Sequence, residues 1–201
     1  MIGIGANAAQ ALAPYRTVIH GERIAIIAAT DVIDTNLMTS WSATGAQGGV
    51  ASAYQLPELL QSVRAARRTA DTVVVFLHWG TELQTCPTAR QLALAQQLAG
   101  AGADIIVGSH AHVQLGAGYL GRAFVDYGLG NLAFYAGQGP SAEAGVLKVT
   151  VTGRHIDSYG WQPALLQSGE PSPLDGAAAQ DAISRWSALR RCTNLAAVAP
   201  A

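Results

Sequence analysis

The sequence predicts an α/β fold: a partial α/β sandwich with parallel strands in the middle and antiparallel strands toward the C-terminus. Two short apolar runs alternate with two helical segments, which is typical of βαβ crossovers in a parallel sheet. Two predicted hairpins follow them, and these indicate the antiparallel part. A chain of 201 residues is long enough to bury a sizeable core.

The first predicted element is a hairpin. Residues 17–20 and 23–29 are rich in β-forming side chains, and Gly21-Glu22 between them is predicted to form a two-residue turn. Residues 30–52 are rich in Ser, Thr, Gly and Asn and are predicted to form a long loop with Met38 and Trp41 as its apolar anchors. Loops of this length in a compact domain are often functional.

The middle of the chain predicts helix, strand, helix and strand in succession. A helix is predicted over 56–68, where cations in the last turn suit the helix dipole. The run 72–77 is continuously apolar, as expected of a strand buried on both faces. A second helix is predicted over 88–101, and residues 104–108 form the next short buried strand.

The last third predicts antiparallel strands and one helix. A hairpin turns at Gly121 within residues 119–124, and a second joins 145–152 to 155–161. Residues 175–191 form an amphipathic helix with Trp186 on its inner side. The domain prediction therefore places residues 1–161 in one domain, on which a C-terminal loop and helix (162–201) pack.

Composition excludes several classes of protein. The chain is 50% hydrophobic and 12% charged, and its formal net charge is −1. This balance argues against nucleic acid as a partner, because such proteins carry a basic surface. No apolar run reaches the roughly 18 to 20 residues of a membrane-spanning helix, so no transmembrane segment is predicted. The N-terminus lacks a positive region followed by a long apolar stretch, so no targeting signal is expected in this chain.

The two cysteines allow two interpretations. Cys86 and Cys192 lie far apart in the sequence and form no CxxC pair, which excludes a zinc knuckle. They are either two free thiols or one long-range disulfide. A disulfide would imply an oxidising compartment.

Three histidines follow the two buried strands of the middle region. His78 comes directly after the first strand, and His110 and His112 come just after the second. Ligands of open α/β sheets bind at the carboxyl ends of strands, so the three rings are expected at one rim. In extended backbone the i, i+2 spacing places His110 and His112 on the same side. One such histidine is more often a hydrogen-bonded structural residue, but three together favour a site for a divalent transition metal.

Four further residues are weighed against this site. Glu82 follows His78 by four residues and is interpreted as a carboxylate that orients an imidazole, a general acid, or a solvated loop residue. Asn131 ends a Gly-Leu-Gly-Asn turn and either reaches the same rim or serves the turn alone. His20 and His155 lie near predicted turns and are interpreted as structural or surface residues.

The histidines lie in three short motifs or close to them: HWGTE at 78–82, GSHAH at 108–112 and YGLGN at 127–131, in that order. With these motifs the chain resembles the bacterial capsule-synthesis CapA family. This family is named for poly-γ-glutamate capsule formation and is related to the calcineurin-like metallophosphoesterases. The resemblance implies a metallophosphatase-like sandwich with metal ligands at His78, His110 and His112. The resemblance also implies a divalent metal that activates water for attack on a phosphoryl group. In a complete protein this would be a two-metal site. His110 and Glu82 are the catalytic candidates.

The N-terminal acidic ligands of that family have no match before His78. Asp31, Asp34 and Asn36 lie in a different context, so the chain resembles the C-terminal part of a CapA-like protein. Two functions follow: a metal-dependent hydrolase of capsule or envelope polymer metabolism that acts on a small-molecule or polymer substrate, or a non-catalytic remnant or partner-dependent binding module. The resemblance implies an extracytoplasmic or envelope-associated location, and the oligomeric state stays open.

Overall fold

The computed structural model describes residues 1–135 and 137–200 and contains eleven strands and five α-helices in this range. The strands are β1 (Ile4–Gly5), β2 (Tyr15–Ile19), β3 (Glu22–Thr30), β4 (Gly49–Val50), β5 (Thr72–Trp79), β6 (Ile105–His110), β7 (Ala117–Leu120), β8 (Ala123–Asp126), β9 (Glu143–Thr152), β10 (His155–Gln167) and β11 (Glu170–Pro173). The helices are α1 (Ala8–Ala11), α2 (Met38–Trp41), α3 (Leu56–Arg67), α4 (Ala89–Ala101) and α5 (Gly176–Ala188).

A six-stranded sheet in the order β2-β3-β5-β6-β8-β7 forms the centre of the fold. Its four inner strands are parallel, and the edge strands β2 and β7 are antiparallel to their neighbours. A separate antiparallel sheet has the order β11-β10-β9. The predicted α/β class, with parallel strands in the middle and antiparallel strands toward the C-terminus, is confirmed.

The two faces of the central sheet have different cover. On one face, Leu59 and Val63 of α3 and Leu98 of α4 pack on apolar side chains of the inner strands. On the other face, Phe124 of β8 packs on Tyr159 of β10 with ring centroids 4.5 Å apart, and Trp161 of β10 belongs to the same apolar cluster. Trp186 of α5 stacks on Trp161 with ring centroids 5.5 Å apart, so the predicted inward position of Trp186 is confirmed.

The structure differs from the sequence predictions in three segments. The predicted loop 30–52 contains α2 and β4, and β4 pairs with the N-terminal strand β1. Trp41 is an exposed residue of α2 and does not anchor this segment. The first hairpin turns one residue earlier than predicted, at His20 and Gly21, which both have positive φ angles as in a type I′ turn. Residues 162–173, predicted as loop, continue β10 and form β11.

Cys86 and Cys192 form a disulfide, which decides between the two interpretations of the cysteines. Their Cα atoms are 5.6 Å apart although 106 positions separate them in the sequence. The bridge ties the segment after α5 to the loop between β5 and α4, which contains Glu82. Within the described ranges no helix is long and apolar enough to cross a membrane.

Asp104 connects three parts of the fold at the end of the sheet opposite the histidines. Its carboxylate is buried (3% exposed) and accepts from Arg67 of α3 and from Arg154 of the β9–β10 turn. It also accepts the backbone N–H of Val73 at 2.8 Å. One carboxylate therefore satisfies donors from a helix, a central strand and the second sheet.

Candidate functional site

His78 lies at the carboxyl end of β5 beside the end of β3. The parallel register pairs Thr30 with His78, and the Thr30 hydroxyl lies 3.1 Å from the His78 Nδ1 atom. The backbone N–H of Asp31 donates to the His78 carbonyl at 2.8 Å. Because Thr30 contacts Nδ1, the Nε2 atom of His78 is the ring nitrogen left for a ligand or a proton.

His110 is the last residue of β6 and lies next to His78. The centroids of the two rings are 4.5 Å apart in an edge arrangement. The backbone of His110 has a φ of 100° and that of His112 a φ of 57°. The predicted extended His-x-His backbone is therefore wrong, because the chain turns through left-handed conformations that are uncommon outside glycine. Such conformations cluster at functional sites, where the surrounding structure holds them.

His112 is fixed by the turn that follows β8. Its Nδ1 atom lies 2.8 Å from Asn131 Oδ1, and the Asn131 amide donates to the carbonyls of His112 and Ser141. The Phe134 ring packs on the His112 ring with centroids 4.5 Å apart. Of the two interpretations of Asn131, the structure supports the one in which this residue reaches the rim. The centroids of His110 and His112 are 6.4 Å apart, so the third ring stands away from the first two.

Two of the three rings, those of His78 and His110, favour neutral imidazoles. Partial burial, followed by the neighbouring His110 and His112, lowers the pKa of His78 below its ordinary value. Burial also lowers the pKa of His110, and the charge of Glu82 acts in the opposite direction. A neutral imidazole carries a lone pair, so these residues are able to bind a metal ion or accept a proton at neutral pH.

Glu82 lies in the exposed loop between β5 and α4. The next residue, Leu83, donates its backbone N–H to the carbonyl of Ala111, which holds this loop against the His-x-His turn. Glu82 is thus close enough for its charge to raise the pKa of His110, while its side chain stays in solvent. Its catalytic role stays a prediction.

Asp31 lies at the same rim but is held by another side chain. The Nε atom of Arg90 donates to both Asp31 oxygens, at 2.8 and 2.7 Å, and the guanidinium group stacks on Tyr54. In the part of the chain that the structure describes, no three His, Cys, Asp or Glu side chains form a set that holds a metal ion. The rim therefore offers two adjacent imidazoles and a third nearby, without a free carboxylate at Asp31.

Two of these contacts were missed in the sequence reasoning. Thr30 contacts His78. This contact could be predicted only from the pairing of β3 and β5, which are neighbouring parallel strands that end together. Phe134 follows the Gly-Leu-Gly-Asn turn by three residues and gives no local signal of its contact with His112. His20 lies in an exposed turn and His155 is an exposed residue of β10, so both are surface residues as predicted.

Asp126 supports the turn that holds Asn131. It is fully buried, its Oδ1 accepts the N–H of Gly128 at 2.9 Å, and its Oδ2 has no partner among the residues that the structure describes. Burial raises the pKa of Asp126 to about 7. The unfolded chain has an ordinary, lower pKa, so stability contributed by the protonated form is expected to fall from about pH 4 to about pH 7.

We expect Asp126→Asn to remove this pH dependence, because the amide keeps the acceptor for Gly128 and carries no charge. Between pH 4 and pH 7 the free energy of unfolding of the wild type is expected to fall by up to about 4 kcal/mol because of this group. The variant is expected to show no such fall. Urea unfolding of both proteins at pH 4.5, 6 and 8 measures the difference. Parallel pH profiles for the two proteins would contradict the assignment.

A family model describes this chain over most of its length. Residues 1–136 match the model of the bacterial capsule synthesis protein PGA_cap. The chain belongs to the PGA_cap family. The match contains His78, His110 and His112 as well as the Asn131 turn, so the CapA resemblance stated from the sequence is confirmed.

Two curated proteins and one solved structure are similar to this PGA_cap chain. The capsule biosynthesis protein CapA of Bacillus anthracis is 29% identical over 83% of this chain and 40% of its own length. The PGA biosynthesis protein CapA of Bacillus subtilis (strain 168) is 29% identical over 68% of this chain and 35% of its own length. This chain thus spans less than half the length of these relatives.

The solved structure is a hypothetical protein from Thermus thermophilus. It has a TM-score of 0.50 and 18% sequence identity, over 77% of this chain and 62% of its own. At this identity the likeness supports the fold alone.

Proposed function

We propose that this protein acts in capsule biosynthesis of the CapA type, through a metal-dependent hydrolytic site of which the chain holds the histidine half. The observation that carries the proposal is the convergence of His78 and His110, with His112 beside them, at the end of the parallel strands. The remaining ligands would come from polypeptide that the relatives have outside the match, since this chain spans 40% of the Bacillus anthracis protein.

The donor chemistry fits a divalent transition metal. Imidazole nitrogen suits Zn, Cu, Fe and Ni, and metal-bound histidines usually have their second nitrogen hydrogen-bonded. The Nδ1 atoms of His78 and His112 already contact Thr30 and Asn131, which leaves their Nε2 atoms for the metal. Such a metal, when bound, would polarise a phosphoryl oxygen and lower the pKa of a bound water.

The residues of this chain have distinct roles in the proposal. Thr30 and Asn131 set the ring orientations of His78 and His112. His110, whose pKa is lowered by burial, is suited to accept or return a proton at its ring nitrogen, and Glu82 tunes that pKa from solvent. A substrate of the capsule or envelope polymer, of poly-γ-glutamate type, follows from the family; the Cys86–Cys192 bridge fits the oxidising, extracytoplasmic location proposed with it.

Metal binding tests the proposal. We expect the purified chain to bind Mn²⁺ or Zn²⁺ weakly, and His78→Ala and His110→Ala to abolish binding because each removes a ligand. Asn131→Ala is expected to weaken binding by about 10- to 100-fold, since it releases the orientation of His112. Calorimetric titration measures these affinities.

His155→Ala is the matched control, because His155 is an exposed histidine far from the rim. Its affinity should equal that of the wild type. Binding that persists in His78→Ala and His110→Ala, or no binding in the wild type, would refute the histidine half-site.

A second function is a non-catalytic binding module. The observation that favours it is that Asp31, the carboxylate beside His78, is paired with Arg90. Hydrolysis of a generic phosphate ester by the metal-loaded protein distinguishes the two functions, because a binding module gives no turnover that depends on His110.

A further inference from the structure

Two hairpin turns with the same sequence lie at the end of the fold opposite the histidines. The turn between β7 and β8 is Gly121-Arg122, and the turn between β9 and β10 is Gly153-Arg154. Their glycines have almost the same φ angle, 59° and 58°. The two hairpins belong to different sheets, so each sheet contributes one arginine to this end of the molecule.

Asp104 holds the two turns next to each other. Its backbone carbonyl accepts the N–H of Phe124, close to the first turn, at 2.9 Å. Its carboxylate accepts the Nε–H of Arg154, in the second turn, at 3.0 Å. The Thr72 hydroxyl also donates to the carbonyl of Gly153 at 2.6 Å, which fixes the second turn against β5. Contacts with the central sheet therefore set the position of both turns.

A groove lies between the turns. Two cavities of about 390 and 360 Å³ both have Arg122 and Arg154 in their lining, so the two arginines join them into one groove. Thr152 and His155 line the first cavity, and Asp104 lines the second. We call this concavity the arginine groove.

Both arginines of the groove have donors to spare. Arg154 contacts Asp104 through its Nε atom, and its side chain is 53% exposed, so its Nη atoms are open to another acceptor. Asp104 is already shared with Arg67. Arg122 forms no ion pair within the described residues. The single carboxylate of the groove therefore does not satisfy its guanidinium groups.

The groove has an excess of positive charge. The Asp157 carboxylate lies 3.8 Å from the His155 ring and accepts the Thr152 hydroxyl at 2.8 Å. Together with this carboxylate, the groove and its direct ionic partners contain three guanidinium groups and two carboxylates. The whole chain has a formal net charge of −1, so the excess is local. A concave surface of one charge sign concentrates ligands of the opposite sign.

We propose that the arginine groove binds a phosphate group. A guanidinium group donates two parallel hydrogen bonds to an oxyanion. A phosphate ester has three terminal acceptor oxygens, which suffice for two guanidinium groups from separate turns, whereas a carboxylate has only two. Phosphate therefore matches the donors of Arg122 and Arg154 better than a carboxylate does.

The groove lies away from the candidate hydrolytic site. Asp104 precedes the first residue of β6, whereas His110 is the last residue of this strand. The groove is therefore suited to anchor a phosphorylated compound or a lipid headgroup and not to react with it. This inference does not depend on metal binding by the histidines.

Titration with inorganic phosphate tests the proposal. The complete chain is kept in EDTA, so that no metal at the histidine rim recruits the anion. We expect one phosphate per chain by calorimetry, and shifts of the Gly121 and Gly153 amide signals in NMR spectra. Arg122→Gln and Arg154→Gln are each expected to weaken binding by about tenfold or more, because each removes charge-assisted hydrogen bonds.

Arg64→Gln is the matched control. Arg64 is an exposed arginine of α3 that lines neither cavity, and the substitution removes the same charge. We expect it to change the affinity by less than about twofold, since salt screens distant surface charges. Equal weakening by Arg64→Gln and Arg122→Gln would overturn the proposal, as would a wild type that binds no phosphate. Circular dichroism should show that Arg122→Gln folds like the wild type.

Vesicles distinguish the two sources of the phosphate group. Sedimentation with phosphatidylglycerol vesicles, compared with neutral phosphatidylcholine vesicles, measures binding to a lipid headgroup. Retention that Arg122→Gln abolishes would support the proposal with a lipid as the ligand. Phosphate binding without retention would support it with a soluble phosphorylated compound. Retention that persists in both Arg122→Gln and Arg154→Gln would contradict it.

Discussion

Replacing Asp104 with alanine is expected to lower the free energy of unfolding by about 3 to 5 kcal/mol. The change leaves Arg67 partly buried without its carboxylate partner, and it removes the acceptor of the Val73 N–H. Removing one partner of a buried ion pair is costly because the other charge stays desolvated. Urea denaturation followed by circular dichroism measures the loss.

Asp71→Ala is the matched control for this prediction. Asp71 also pairs with an arginine, Arg23, but at the surface, where water screens the interaction. We expect a much smaller change there. Equal losses in the two variants would show that Asp104 is not the junction between α3, β5 and the second sheet.

Removing the disulfide by Cys86→Ser together with Cys192→Ser is expected to cost about 4 to 5 kcal/mol. A bridge across 106 positions restricts the unfolded chain strongly, and the chain-entropy relation gives this magnitude for a loop of about 100 residues. Thermal and urea unfolding of the variant and of the wild type measure the difference.

Reduced wild-type protein provides the control, since it loses the bridge without a change of sequence. It should unfold at the same urea concentration as the double variant. Hydrogen exchange should also increase in the loop that carries Glu82, and remain slow in β5. A loop that stays protected without the bridge would show that its contact with Ala111 suffices to hold it.

The middle of the fold could be predicted from local patterns. The apolar run before His78 and the helix that ends at Gly102 need only their own neighbours in the sequence to be recognised. The convergence of the histidines at one rim could also be predicted from the sequence, because parallel strands place their carboxyl ends together. What these elements have in common is that a short window of sequence determines them.

The missed features depend on distant partners. Strand β1 exists because Ile4 pairs with Val50, and neither residue carries a strand pattern of its own. The contact of Thr30 with His78 depends on the register of two strands 48 positions apart. The left-handed backbone of His110 has no sequence signal, since glycine is the residue that usually marks such a conformation.

The Cys86–Cys192 bridge also sets an order in time. During synthesis, β5 and the histidines emerge long before Cys192, which follows Cys86 by 106 positions. The loop that carries Glu82 can therefore be fastened only after α5 has been made and has packed on β10. The residues of the rim are therefore synthesised before its covalent fastening is possible, and a nascent chain that ends before Cys192 carries all three histidines with an untethered Glu82 loop.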